Sequence, residues 1–252
     1  MNAGWRWALR IVSVAAILGA WQLYGRSGHN QILTSDPSSV AVAFADMVRD
    51  GTLGHALASS LEVLGIGYGA GAAAGIIIGL AQGRSEAISA LIDVPVSAFY
   101  AVPAVTLIPV FVLWFGFGVM TKVVVVFLFV IFPVLINTAR GVREVDPDLV
   151  EVARSFCSRE PRMWTDLILP SALPFIVTGL RLAIGRAIIG VVVAEFYTAL
   201  SGLGELIQTN ANNFQPARMF VPIVVIAALG VVFTALLELA ERRLVQWRKT
   251  PQ

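Results

Sequence analysis

Apolar positions in this chain fall in long blocks rather than in alternation, and polar residues gather between the blocks. A bilayer core takes about 20 mostly apolar residues per helix. Backbone polar groups inside lipid must pair within their own segment, so a long apolar block predicts a spanning helix. Six blocks qualify: Trp7–Tyr24, Leu61–Gln82, Leu91–Phe115, Met120–Ala139, Pro174–Leu200 and Phe220–Leu239. They are too long for barrel strands and lack the period of two. The pattern predicts an all-α polytopic membrane protein: six transmembrane helices in one transmembrane domain over residues 1–252.

Composition agrees. The chain is 57% hydrophobic and 13% charged, with mean hydropathy +0.80. Soluble domains carry about 25% charge. Cys157 is the one cysteine, which excludes an internal disulfide and a cysteine-cluster metal site. His29 and His55 lack ligand spacing, so no metal is expected. Nucleic acid is not expected as a partner; the lipid bilayer is. Arg6 and Arg10 followed by Ile11–Ala20 resemble a secretory leader. The apolar run continues past Trp21 without a clean small-x-small site, so an uncleaved anchor is expected.

Two blocks carry packing signals. Gly67, Gly71, Gly75 and Gly79 recur every four residues, nearly along one helix face. Such a row admits a second backbone at close range, or lines a passage. The third block contains Pro95, Pro103 and Pro109, which kink a helix. Such breaks are simple kinks or pathway linings.

Loop charge sets the orientation. With the N-terminus inside, twelve Lys and Arg fall on inner segments and four on outer ones: Arg26, Arg49, Lys122 and Arg218. Both termini are therefore expected in the cytoplasm. The outer segment Gly25–Ser60 holds "TSDPSSVAVAFADMV", with a cap at Ser35 or Asp36 and Pro37 in the first turn. It predicts a short amphipathic helix on the outer surface.

The inner segment between spans four and five, about 140–170, is the anomaly. Eleven charged residues lie between Arg140 and Asp166. Asp146-Pro147 is a helix start, and Leu149, Val152, Ala153 and Phe156 follow at helical spacing. A break near Cys157-Ser158 and a second helix from about Arg159 to Leu169, ending before Pro170, complete the expectation. Ordinary connections run about 2–8 residues. A longer one with helical period should bury its apolar face against a cytoplasmic partner.

The stretch resembles the EAA loop of permease subunits in binding-protein-dependent ABC importers. That pattern is E-A-A, three residues, G, nine residues, then I-x-L-P. Here it reads Glu151-Val152-Ala153, Arg154-Ser155-Phe156, Cys157, nine residues, Leu167-Ile168-Leu169-Pro170. Cys157 replaces a glycine that would allow positive φ, so a different backbone conformation is expected at the turn. "VPAVTLIPVFVLWFGFG", "LPSALPFIVTGLRLAIGRAIIGVVVAEF" and "SGLGELI" extend the likeness across about Ser60–Leu244. They are similar to the branch importing nitrate, taurine and aliphatic sulfonates, with relatives taking bicarbonate or thiamine-precursor pyrimidines.

The resemblance implies a pore-forming subunit in a bacterial inner membrane. It pairs with a second permease copy, two cytoplasmic ABC ATPases and an external solute-binding protein. Glu151, Ala153, Arg154, Phe156, Cys157, Ser158, Leu169 and Pro170 would form the coupling loop. Glu151 and Arg154 would make polar contacts, Ala153 and Phe156 would pack, and Pro170 would fix the exit into span five. No G-x-x-x-x-G-K-[ST] phosphate loop is present. ATP and Mg would therefore be bound by the partners, and this chain would not be an enzyme or carry a cofactor.

Arg181, Arg186 and Glu195 lie within the fifth block. A mid-bilayer charge costs about 2.5–3.5 kcal/mol on insertion scales, so each should face the bundle and find a partner. Arg186 either gives a pathway a positive field suited to anionic cargo or locks helices through an ion pair. Arg186, Glu195, Tyr100 and Pro103 are the pathway candidates, with Asn137 and Glu62 as lesser polar sites. A stand-alone secondary transporter would explain six spans but not the patterned inner loop. A membrane enzyme lacks any nucleophile–base set or close carboxylate pair.

Overall fold

The computed structural model describes residues 3–27, 34–198 and 200–244. His29, named above, and Arg248 and Lys249, counted among the inner charges, lie outside them, as do the side chains of Arg6, Arg242 and Arg243. Every regular element among the described residues is helical: α1 (Ala3–Arg26), α2 (Pro37–Arg49), α3 (Thr52–Arg84), α4 (Glu86–Ala101), α5 (Ile108–Phe115), α6 (Val119–Arg143), α7 (Pro147–Ser155), α8 (Glu160–Met163), α9 (Leu169–Thr198), α10 (Leu203–Asn212) and α11 (Pro216–Leu244). Five helices are long and apolar enough to cross a membrane, and the bent pair α4–α5 makes a sixth span. The helices run past the expected ends because hydropathy marks only the lipid-facing part of a longer rod.

α6 is the centre, with α3 against one side and α9 against the other. The glycine row sets the first contact. Gly67, Gly71, Gly75, Gly79 and Gly83 stand opposite Val126, Val130, Val134, Thr138 and Val142, four residues per step on both helices. A Cβ at any of the five would lie 2.7–3.0 Å from a backbone carbonyl of α6. Real Cβ atoms do not approach so closely, so only hydrogen lets the two backbones meet there. Lipid tails are as apolar as Leu, so this association rests on van der Waals contact rather than on leaving water. The second contact interlocks in both directions: Gly141 of α6 receives Phe175 of α9, and Gly179 and Gly190 of α9 receive Asn137 and Phe129. Val63, Val126, Val130, Val134, Ala183 and Ala187 form the buried core between the three helices.

The third block is not one straight helix. α4 and α5 meet at 89°. Pro103 cannot donate to the helix behind it, and it forces Val102 into extended backbone, φ −73° and ψ 126°. A 3-10 turn at Ala104–Leu107 follows. Pro109 then falls in the first turn of α5, where a missing N–H costs nothing.

We call the end bearing residues 144–168 the loop end and the opposite one the far end. At the far end α2, α10 and the start of α11 share a core of Val40, Ala43, Met47, Leu53, Ala56, Leu203 and Val221. α1 joins it by its last turns: Trp21 Nε1 donates to Ser35 O at 2.7 Å, and Gln22 Nε2 donates to Asp36 at 2.6 Å. The hydroxyls of Ser38 and Ser39 and the amide of Gln22 hold the Asp36 carboxyl well below the usual carboxylate range. The rest of α1 presents apolar side chains such as Ile11 and Ile17 outward, as a lipid-facing helix does.

Gly75→Ala is expected to destabilise the α3–α6 contact by about 1–3 kcal/mol through overpacking. Gly69→Ala, on the open side of the same helix with nothing within 4 Å, should be neutral or slightly stabilising. Thermal unfolding of the two variants in detergent separates the register from glycine content.

Candidate functional site

The loop begins as its residues dictate. Asp146 Oδ1 accepts from the Asp148 amide at 2.9 Å, and Pro147 opens α7. Along α7, Leu149, Val152 and Phe156 are 50%, 52% and 83% exposed. These three share one helix face, so the expected apolar stripe exists and nothing among the described residues covers it. Phe156, expected to pack in the coupling loop, is uncovered among the described residues. Ala153 does pack, beside the buried cluster of Val142, Met163, Ile168, Ala172 and Ile176. Glu151 and Arg154 are exposed and line a groove of about 700 Å³ with Arg84, Glu86 and Arg143. Arg84 of α3 pairs with Glu160 of α8 at 2.6 Å, tying the loop to the bundle.

The turn after α7 corrects one expectation. Cys157 sits at φ +52°, the left-handed region. Its amide bonds Arg154 O at 2.8 Å, and the Ser158 amide bonds Ala153 O at 3.0 Å. These paired bonds form a Schellman motif, the ending glycine usually provides. The turn thus keeps the glycine conformation with a cysteine in it. Two hydrogen bonds at a helix end offset the Cβ penalty of about 1–2 kcal/mol.

Pro170 corrects another. The second loop helix does not end before it. α8 passes through a π-helical turn, Trp164–Ile168, straight into α9. Leu169 donates to Trp164 O, five residues back. In a regular α-helix the proline ring would clash with the carbonyl four residues back, that of Asp166, and the π-helical turn falls at that carbonyl. Glu160–Thr198 is therefore one rod of 39 residues. Leu169 and Pro170 lie within it, at the membrane entry.

The pathway candidates divide. Arg186 and Tyr100 meet: Arg186 Nη2 donates to Tyr100 Oη at 2.8 Å, and the guanidinium lies 5.2 Å over the Tyr100 ring. Pro103 is exposed three residues beyond Tyr100, at the α4–α5 break. No carboxylate forms a salt bridge with Arg186 among the described residues. Arg181, one and a half turns away, is paired with Glu238 and Glu241 of α11. Asn137 donates to Pro133 O at 2.7 Å within α6. Glu62 makes no hydrogen bond or ion pair among the described residues.

Glu195 is not on an exposed surface; it is fully buried. Oε1 accepts from Ser60 Oγ at 2.6 Å, and Oε2 accepts from the Gly204 amide at 2.7 Å. Ser60 Oγ also accepts from the Leu203 amide at 2.9 Å. Lys122, read from sequence only as an outer loop charge, is 1% exposed beside this group. Its Nζ donates to Ser201 O at 2.7 Å and Ser201 Oγ at 3.0 Å. Sequence reasoning missed Lys122, Ser60 and Asp93. Asp93 of α4 takes hydrogen bonds from Gln82 of α3 and from Ser89, whose hydroxyl also accepts from Arg143 of α6. The signal for Lys122 was present: a lysine one turn inside an apolar span needs a buried partner.

A six-span helical bundle with a broken third span and a helical insertion between spans four and five defines a polytopic membrane protein. The chain belongs to the family of binding-protein-dependent transport system inner membrane components, matched over residues 71–246; it is an ABC importer permease. It is 33% identical over 245 residues to the putative aliphatic sulfonates transport permease SsuC of Bacillus subtilis, covering 97% of this chain and 89% of that one. Against the putative SsuC of Escherichia coli identity is 35% over 247 residues, 96% of this chain and 94% of the relative. In fold it is similar to a crystal structure of an amino acid ABC transporter with histidines, at TM-score 0.61 and 21% identity, covering 79% of this chain and 98% of that one.

Cys157→Gly is expected to stabilise the loop by about 1 kcal/mol by removing the left-handed Cβ penalty. Cys157→Val should do the opposite. Amide exchange at Ser158, slower in the first variant and faster in the second, checks both.

Proposed function

We propose that the chain forms the translocation subunit of an ATP-driven importer for small organic anions of the sulfonate and taurine class. It works as one of a permease pair, with the loop end and both termini in the cytoplasm. The observation that carries the coupling half is the uncovered Leu149–Val152–Phe156 face of α7. An apolar stripe held outside the bundle by a capped helix costs free energy unless a partner covers it. A cytoplasmic ABC ATPase is the partner we assign, with Glu151 and Arg154 flanking the contact. Cys157 and Ser158 close α7, and Leu169 and Pro170 carry the loop into the membrane. ATP and Mg belong to that partner, and an external solute-binding protein delivers the solute. The concentration of arginine at the loop end supports the orientation.

The solute half rests on Arg186. Its close partner among the described residues, Tyr100, is neutral, and a guanidinium fork suits a bidentate grip on an oxyanion. Tyr100 orients the guanidinium from the α4–α5 break, beside Pro103. The sulfonate permeases named above agree with such cargo. Glu195, by contrast, serves structure rather than passage.

Phe156→Asp is expected to weaken ATPase binding by about 2 kcal/mol, roughly thirtyfold, while melting of the membrane bundle is unchanged. Co-purification and titration with the ATPase measure it; undiminished binding would sink the coupling assignment. Arg186→Gln should raise the sulfonate concentration for half-maximal uptake by about tenfold or more through loss of a charge-assisted bond, with assembly intact. Wild-type uptake by that variant would remove Arg186 from the pathway.

A further inference from the structure

The motif "SGLGELI" has no role in the lever or in the solute site, and the structure gives it one. Ser201 to Gly204 wrap around the Glu195 side chain. Gly202 stands at φ +114°, and a Cβ there would fall on the Glu195 carboxylate. A Cβ at Gly204 would lie 2.7 Å from Val192 O and 2.9 Å from Glu195 Cβ. Leu203 and Gly204 are the first two residues of α10, so their amides are helix-start donors without intrahelical acceptors. Ser60 of α3 and Glu195 of α9 supply the acceptors. Lys122 of α6 holds the preceding carbonyl, Ser201 O. Ser59 of α3 shares a hydrogen bond with the Ser201 hydroxyl at 2.9 Å.

Four elements thus converge on one buried turn. Glu195 lies near the far end of the rod that begins in the loop at Glu160. At about 1.5 Å per residue, that rod spans about 58 Å. The side chain of Leu203 points the other way, into the far-end core of α2, α3 and α11.

We infer that Glu195, Ser60 and Lys122 are positioning residues for transport: they clamp the start of α10 to the tip of α9, so that displacement of the loop is delivered through one unbroken helix to the far-end cap. The inference rests on the importer reading above. A slack turn at residues 200–202 would let α9 tilt without carrying α10. The buried hydrogen bonds remove that slack, because releasing the turn leaves a carboxylate and two amides unpaired out of water. α10 therefore moves with the rod, and the cap that receives solute opens or closes in step with the loop.

The test uses the whole importer in proteoliposomes, with its ATPase and solute-binding protein, and taurine or an alkanesulfonate as cargo. For Glu195→Ala we expect ATP hydrolysis to continue while solute moved per ATP falls about tenfold, a typical size for a coupling between sites. Amide exchange over 203–212 should rise selectively, with α9 still protected. Glu195→Gln keeps the shape and one acceptor, so it should lie between Ala and wild type in both measurements. If Glu195→Ala fails to assemble, Ser60→Ala, which removes a single hydroxyl, is expected to show the same split in smaller degree. Normal coupling in these variants, or transport and hydrolysis falling together in proportion, overturns the clamp. A wild-type assembly that moves no solute at the expense of ATP overturns the importer reading instead, and the exchange measurement still reports whether the clamp exists.

Discussion

The register of α3 on α6 is the constraint from which the bundle follows. Five glycines stand opposite a row of branched side chains at a common step of four residues, and the backbones touch. A contact of this kind has no tolerance. A shift by one residue drives the branched row into Cβ atoms or leaves it over a void, and in a tightly packed interior either is costly. With α3 fixed on one side of α6, the opposite side is left to α9, which locks in by the reciprocal fit of Gly141 and Gly179. Both faces of α6 are thereby used. Two of the remaining membrane helices are held at fewer points: α1 by hydrogen bonds from its last turns, and α4 by hydrogen bonds at Ser89, Asp93 and Tyr100.

That division gives the molecule a rigid centre and loosely held flanks. α9 belongs to the centre, yet it is also the continuation of the loop. A regular stop at Pro170 would have placed a hinge where the loop enters the membrane. The π-helical turn removes the hinge by widening the helix around the proline ring. The loop cannot then swing independently of the span behind it. The ion pair between Arg84 and Glu160 adds a second attachment to α3, although an exposed pair of this kind contributes little by itself. Rigidity here comes from a helix that stays continuous through Pro170 and Pro174, each of which removes only a single donor.

What the amino-acid order made legible, and what it hid, follows the range of the interactions. The six spans, the glycine row and the start of α7 depend on residues within one or two turns, so periodicity and caps reveal them. The lever between spans four and five was legible for the same reason. Cys157 misled because propensity states a cost without saying what offsets it, and the offsetting bonds to Ala153 and Arg154 form only in the folded turn. Phe214, also at positive φ, ends α10 in the same way. The bend at Val102–Pro103 was visible as a proline but not as a right angle, since the angle is set by what the two halves pack against. Glu195 looked like a pathway residue because its partners, Ser60 and the Gly204 amide, come from another span and from a backbone group no side-chain pattern announces.

The charged groups of the spans resolve into three situations, and the differences among them explain where function resides. Arg181 meets two carboxylates near the loop end and is neutralised, so it holds α9 against α11 and is spent on structure. Lys122 and Glu195 are sealed within the far-end knot, each with hydrogen-bond partners inside the protein. Breaking such a buried set is far more costly than losing a surface pair, because a charge is then left without partners away from water. Arg186 alone of these has neither solution: it touches the hydroxyl and ring of Tyr100, and its charge is not cancelled among the described residues. A cation kept in that state within a membrane protein is costly in the empty state and favours any anion that arrives. In the function we propose, the same term that makes Arg186 unfavourable for folding would favour binding of an anionic cargo, whereas the sealed charges have no such reserve.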